Sequence, residues 1–133
     1  MKISRNLAIA IIGGMLTASS FAADGVKLAF RLESNGKLLG TPLLTTNFGE
    51  RASVQTKGDG RGYRIETLTQ DTGATVDIAL KLFVDEGEGM KLVSEPRLLS
   101  PFDTMSSVAY TAKDGATMRL TVQASRAEIP VTR

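Results

Sequence analysis

The chain has 133 residues, carries 16 Lys and Arg against 14 Asp and Glu, and contains neither histidine nor cysteine. The two missing residue types exclude Ser-His-Asp and Cys-His catalysis, disulfide staples and the usual zinc ligands. A near-neutral balance without a basic block also excludes the phosphate-neutralising surface that nucleic acid demands.

The first element is a leader. Lys2 and Arg5 precede an apolar run over residues 7–16, and residues 17–22 end in small side chains, with Ser20 and Ala22 at the −3 and −1 positions of a cut before Ala23. This is the pattern of a secretory signal peptide. The run is too short to cross a bilayer, which takes about 20 residues. The sequence therefore predicts residues 1–22 as signal peptide and 23–133 as a single β-rich domain, large enough to bury its own core. Removing the leader takes two basic residues and no acidic one, so 14 of each remain and the working chain is charge-balanced. No cysteine follows the leader to carry a lipid, and no later apolar run is long enough to insert in a membrane. The periplasm is the expected location, with release outside the cell as the alternative.

Period-2 alternation then dominates. Val26, Leu28, Phe30 and Leu32 alternate with polar or small neighbours, as do Val76, Ile78, Leu80, Leu82 and Val84, and again Met118, Leu120 and Val122. Such alternation marks half-buried strands. Turn signals separate them at Asn35-Gly36, Asp59-Gly60, Thr72-Gly73, Gly87 to Gly89 and Asp114-Gly115, where Asn-Gly and Asp-Gly supply the positive φ of tight hairpins. About eight strands are predicted, over 25–33, 37–46, 50–57, 62–69, 74–85, 89–100, 105–112 and 116–124. The tail over 125–133 lacks a pattern and is expected to fray. The fold class expected is all-β, an antiparallel sandwich or barrel.

An internal echo runs through this pattern. At an offset of 54, Leu38, Leu39, Pro42, Leu44, Thr46, Phe48, Ser53 and Val54 meet Leu92, Val93, Pro96, Leu98, Ser100, Phe102, Ser107 and Val108. The candidate repeat halves are 25–70 and 75–125, built as two related β-meanders. Pro42 and Pro96 cannot donate to a ladder, so each is expected at an edge, a bulge or a strand start.

Residues 41–54 (TPLLTTNFGERASV) resemble a recurrent motif of the secretin family, the outer-membrane channels of secretion and pilus systems: a Pro-bearing strand, a tight turn, then Ala-Ser-Val. Residues 94–100 (SEPRLLS) resemble its first half again, and Ser106-Ser107-Val108 loosely its second. The match covers about 15 residues per copy. The chain lacks the length and the membrane-inserting hairpins of a secretin, so pore formation does not carry over. The resemblance implies a small periplasmic β-domain built on related hairpins.

Little chemistry remains to be placed. Glu33, Glu66, Asp77 and Glu95 lie on or near strands but alternate with apolar neighbours as solvent-facing residues do, so no carboxylate pair is expected to catalyse. No enzyme activity and no cofactor is expected. Residues 85–89 (DEGEG) offer carboxylates on a flexible turn, the chemistry of a calcium site, without the spacing of an EF-hand. Residues 57–62 (KGDGRG) lack the ending of a phosphate loop and read as a hairpin whose charges, Arg61 included, make it a contact candidate. Phe48 and Phe102 sit at equivalent turns, where each either caps the core or anchors a partner. Residues 90–105 form the most apolar stretch of the mature chain and include Pro96 and Arg97, the candidate edge for pairing with a foreign strand.

The candidate partner contacts are thus Phe48, Arg61, Pro96, Arg97 and Phe102. The expected function is non-enzymatic binding of another protein in the bacterial periplasm. The partner would be a secreted enzyme or toxin held by an inhibitor or immunity-type protein, or an envelope secretion or pilus complex served by an accessory subunit. Homo-oligomers through edge strands are a third outcome, and a β-sandwich binding a small molecule, glycan or calcium is the alternative class.

Overall fold

A computed structural model describes residues 21–111 and 115–131, and the leader predicted over 1–22 lies outside these but for its last two residues. Ten strands follow in order: β1 (Phe21–Ser34), β2 (Lys37–Gly40), β3 (Leu43–Asn47), β4 (Arg51–Gly58), β5 (Arg61–Asp71), β6 (Thr75–Asp85), β7 (Met90–Ser94), β8 (Arg97–Pro101), β9 (Met105–Thr111) and β10 (Thr117–Val131). All pairings are antiparallel. They form two five-stranded sheets, β2-β1-β10-β9 with β3 also on β1, and β4-β5-β6-β7 with β8 also on β6. Neither sheet closes, so of the two architectures predicted the chain takes the sandwich. Among the described residues no helix is long and apolar enough to cross a membrane.

Two of the eight predicted strands are each two strands, and proline is the reason. Thr41-Pro42 and Glu95-Pro96 interrupt the ladders, because proline has no N–H to donate. Their carbonyls still serve: Pro42 O accepts from Phe30 N–H at 3.0 Å and Pro96 O from Leu80 N–H at 2.9 Å. The chain thus crosses a bend without leaving a neighbour's donor unpaired.

The first and last strands run further than the sequence reading has them. Residues 125–131, expected to fray, continue β10 and pair with β1 in unbroken register from Ser125↔Lys27 to Val131↔Phe21. The pairing is set by the partner strand's backbone and needs no hydrophobic alternation, so periodicity could not reveal it. The first strand, expected from residue 25, begins at Phe21.

The core is made by the central strands. Val26, Leu28, Phe30 and Leu32 of β1 and Met118, Leu120, Val122 and Ala124 of β10 face Tyr63 and Ile65 of β5 and Val76 through Val84 of β6. Apart from Tyr63, Ile65 and Ala124, these are the alternating residues of the sequence pattern, pointed inward by the pleat. Leu28 is fully buried while Leu43, on the adjoining strand β3, is 58% exposed.

The two halves correspond strand for strand. Replacing β1–β5 by β6–β10 converts the connectivity of one sheet into that of the other. Registers follow: Val26↔Thr46 matches Val76↔Ser100, and Arg51↔Leu68 matches Met105↔Gln123. Both halves also bulge at one place. Register shifts between Leu32 and Glu33 against β2, and between Leu82 and Phe83 against β7, leave Leu39 and Val93 as the extra residues.

Positions that are equivalent between halves meet each other at one end of the sandwich. Phe48 and Phe102 pack edge to face with centroids 6.3 Å apart. Asp71 and Arg126, opposite Val76 and Val26 in matching registers, form a two-pronged ion pair at 2.7 and 3.0 Å. The Arg126 guanidinium also lies 4.2 Å over the Phe102 ring and donates to Gly73 O. The end of the molecule is therefore tied by a chain running Asp71, Arg126, Phe102, Phe48.

Candidate functional site

The residues expected to touch a partner have separate fates. Phe48 and Phe102 are half-buried and packed against the core, which makes them the cap of the Arg126 end. Arg97 is committed to Asp77, with hydrogen bonds of 2.9 and 2.6 Å. Pro96 and Arg97 border a shallow depression of about 290 Å³ on the outer face of the β4–β8 sheet, together with Arg51, Glu66 and Lys81. Arg61 stands at the far end of the sandwich, 3.6 Å from Glu86. The five are not brought together in one site.

The acidic turn has a local use. Asp85 Oδ1 accepts the N–H groups of Gly87 at 2.8 Å and Gly89 at 3.1 Å, so its carboxylate closes the β6–β7 hairpin. Among the described residues no group of three His, Cys, Asp or Glu could hold a metal ion. Ser34 and Lys37 have Ser-x-x-Lys spacing, but they face each other across the β1–β2 turn, and Lys37 is ion-paired with Asp59 at 3.1 Å.

What the structure does assemble is an open corner. Where β2 lies over β4, Leu39 turns inward and is 6% exposed. A Cβ on Gly58 would lie 2.5 Å from Leu39 O, and one on Gly40 would collide with the Thr56 side chain. Only glycines allow the two strands this approach. The second half has Ser94 in the place of Gly40, Tyr110 in the place of Thr56 and Ala112, outside the described residues, in the place of Gly58. Its bulge residue, Val93, is 41% exposed.

A cleft of about 570 Å³ stands in that corner, between β7 and the facing ends of β9 and β10. Val84, Leu92, Val93, Met118 and the Tyr110 ring give it an apolar lining, and the Tyr110 hydroxyl donates to Met118 Sδ at 3.0 Å. Arg61, Lys91, Glu86 and Glu88 stand around it, paired Arg61–Glu86 and Lys91–Glu88, each at 3.6 Å. The β6–β7 hairpin that walls it is longer than its counterpart: four residues separate Asp85 from Met90, where two separate Ser34 from Lys37. Burial raises the phenol of neighbouring Tyr63 above its usual range, with the charge and hydrogen bond of Arg61 opposing.

Sequence reasoning singled out Arg61, the acidic turn 85–89 and the apolar stretch 90–105 separately, and did not join them with Val84, Tyr110, Thr111 and Met118, which look like ordinary strand residues. The signal lay in where the internal echo fails, at Gly40 against Ser94, Thr56 against Tyr110 and Gly58 against Ala112.

Two exposed ion pairs set an acid response. Asp71 is held below the usual carboxylate range chiefly by its hydrogen bonds from Arg126, and Asp77 by those from Arg97. A carboxyl depressed on folding contributes stability above its unfolded value, near about 4, and loses it as pH falls through the folded value. Thermal melting from pH 7 to pH 2.5 is expected to show little change from these groups down to about pH 5. Below about pH 4 the midpoint falls, and the fall is smaller in Asp71→Asn and Asp77→Asn. A fall of wild-type size in both variants would remove these carboxyls as its source.

Comparison with protein families, with curated proteins and with solved structures finds no match to this chain.

Proposed function

We propose that this is an exported, non-enzymatic domain that acts by binding another protein along the β7–β8 edge and the open corner beside it. One observation carries the reading: of the six large exposed hydrophobics among the described residues, four lie there or just beyond, and the other two, Leu38 and Leu43, stand on β2 and β3. Leu92, Val93 and Leu99 stand out from β7 and β8, and Met105 follows at the start of β9, with Leu99 and Met105 each 69% exposed. An exposed apolar edge is a template for a foreign strand, and chains that must stay apart usually blunt it with charge. Within this reading, the secretin-like hairpin, which spans β3 and β4, favours service to an envelope secretion or pilus system over inhibition of a secreted enzyme. The leader supports the periplasm as the place of action.

Capture from periplasmic extract tests it. Wild-type protein is expected to retain a defined partner, and Leu99→Lys, which places charge on the edge, is expected to reduce recovery at least about ten-fold. Equal recovery by both proteins, or none by either under gentle conditions, would refute the reading. N-terminal sequencing of the exported chain is expected to begin at Ala23, and retention of the leader would remove the assignment to the periplasm.

A further inference from the structure

The two halves of this molecule are the same device with one part changed. In the first, Leu39 leaves the edge strand at a bulge and fills the corner between the sheets. In the second, the register, the bulge and the neighbouring strands recur, yet Val93 stays 41% exposed on the wall and the corner is the 570 Å³ cleft. That volume falls within the range of about 300–1,000 Å³ typical of ligand sites. The wall of the cleft is closed by Asp85, and its floor includes the core residues Val84 and Met118.

The first half therefore shows what such a corner accepts. We infer that the cleft binds one branched aliphatic side chain, leucine or isoleucine, presented by an extended segment of the protein partner, which deepens the protein-binding reading above and rests on it. Leu39 reaches its place from an extended backbone at a sheet edge, and a foreign strand alongside β7 would offer a side chain in the same way. Charge complementarity points to the same occupant. The mouth carries two cations and two carboxylates, each cation beside a carboxylate. Such a mouth suits the uncharged, alternating dipoles of a peptide backbone and offers a polyanion no net attraction. The apolar lining supplies the affinity for the side chain.

The test uses the whole domain and two probes, N-acetyl-leucine N-methylamide and N-acetyl-alanine N-methylamide, followed by methyl NMR. The leucine probe is expected to give saturable shifts at Val84, Leu92, Val93 and Met118, and to bind about ten-fold or more tightly than the alanine probe, since its three further carbons are buried. Val93→Trp, which fills the cleft from an exposed position, is expected to abolish the shifts, while Leu43→Trp on the other half leaves them intact. Val93→Phe covers the case in which tryptophan unfolds the hairpin. Absence of saturation, equal affinity for the two probes, or shifts that persist with the cleft filled would overturn the inference. In partner capture, loss with Leu99→Lys but retention with Val93→Trp would overturn this occupant and leave protein binding standing. Retention with both would remove protein binding at this edge.

Discussion

Leu28→Ala is expected to lower the melting temperature by about 12–24 °C, because it empties a fully buried place in β1. Leu28 is flanked there by Leu44 on one neighbouring strand and Ala124 on the other. Removing a buried leucine loses its transfer free energy and leaves a cavity, together about 3 kcal/mol in a site that collapses only partly. A domain of this size shifts by about 4–8 °C per kcal/mol. Leu43→Ala, one strand away on an exposed position, is expected to stay within about 0.5 kcal/mol of wild type. The pair tests register as well as burial. A one-residue slip of β3 against β1 would turn Leu43 inward, and its truncation would then cost as much as that of Leu28.

Gly58→Ala is expected to destabilise the domain by about 1–3 kcal/mol, although backbone entropy argues the other way. Glycine inside a strand is worse than alanine by about 0.5–1 kcal/mol, since it has more freedom to lose on folding. The packing term opposes this preference and is larger. The new Cβ would lie 2.5 Å from Leu39 O and 2.9 Å from Leu39 Cα, both backbone atoms that no rotamer change can move. The substitution installs the residue that stands at the equivalent place of the second half, Ala112. Its second expected effect is to separate β2 from β4 and expose Leu39, seen as faster hydrogen exchange in β2 and as new shifts there with the leucine probe. Increased stability with unchanged exchange would show that the β2–β4 contact does not seal the corner.

These two substitutions divide what the amino-acid pattern reveals from what it conceals. The burial of Leu28 was legible because alternation at period 2 is a property of one strand alone. So were the hairpins, since Asn35 and Asp59 stand at turns with positive φ, and so was the relation of the halves, from the echo at offset 54. Pro42 and Pro96 interrupt pairing as the missing N–H requires. Phe48 and Phe102 were legible as equivalent and illegible as to role, because the cap depends on the two turns meeting each other and on Arg126 arriving from the end of β10 past residue 124, where no pattern was visible. Arg97 read as a contact candidate, and its bidentate hold on Asp77 comes from the register of β8 on β6, which composition does not contain.

The order of residues is enough to set the all-β class, the inward side chains, the turns and the two-fold repetition, because each follows from local backbone preference and the two-residue period of a pleated strand. Packing between the sheets is what chooses which of the two equivalent corners stays open. That outcome depends on distances between strands far apart in the chain, where a missing Cβ at Gly40 and Gly58 lets one corner close on Leu39, while in the other, below a longer hairpin, Val93 is 41% exposed and Tyr110 lines an open cleft. Closure of this kind is a matter of steric exclusion between sheets, and no pattern within a single strand records it.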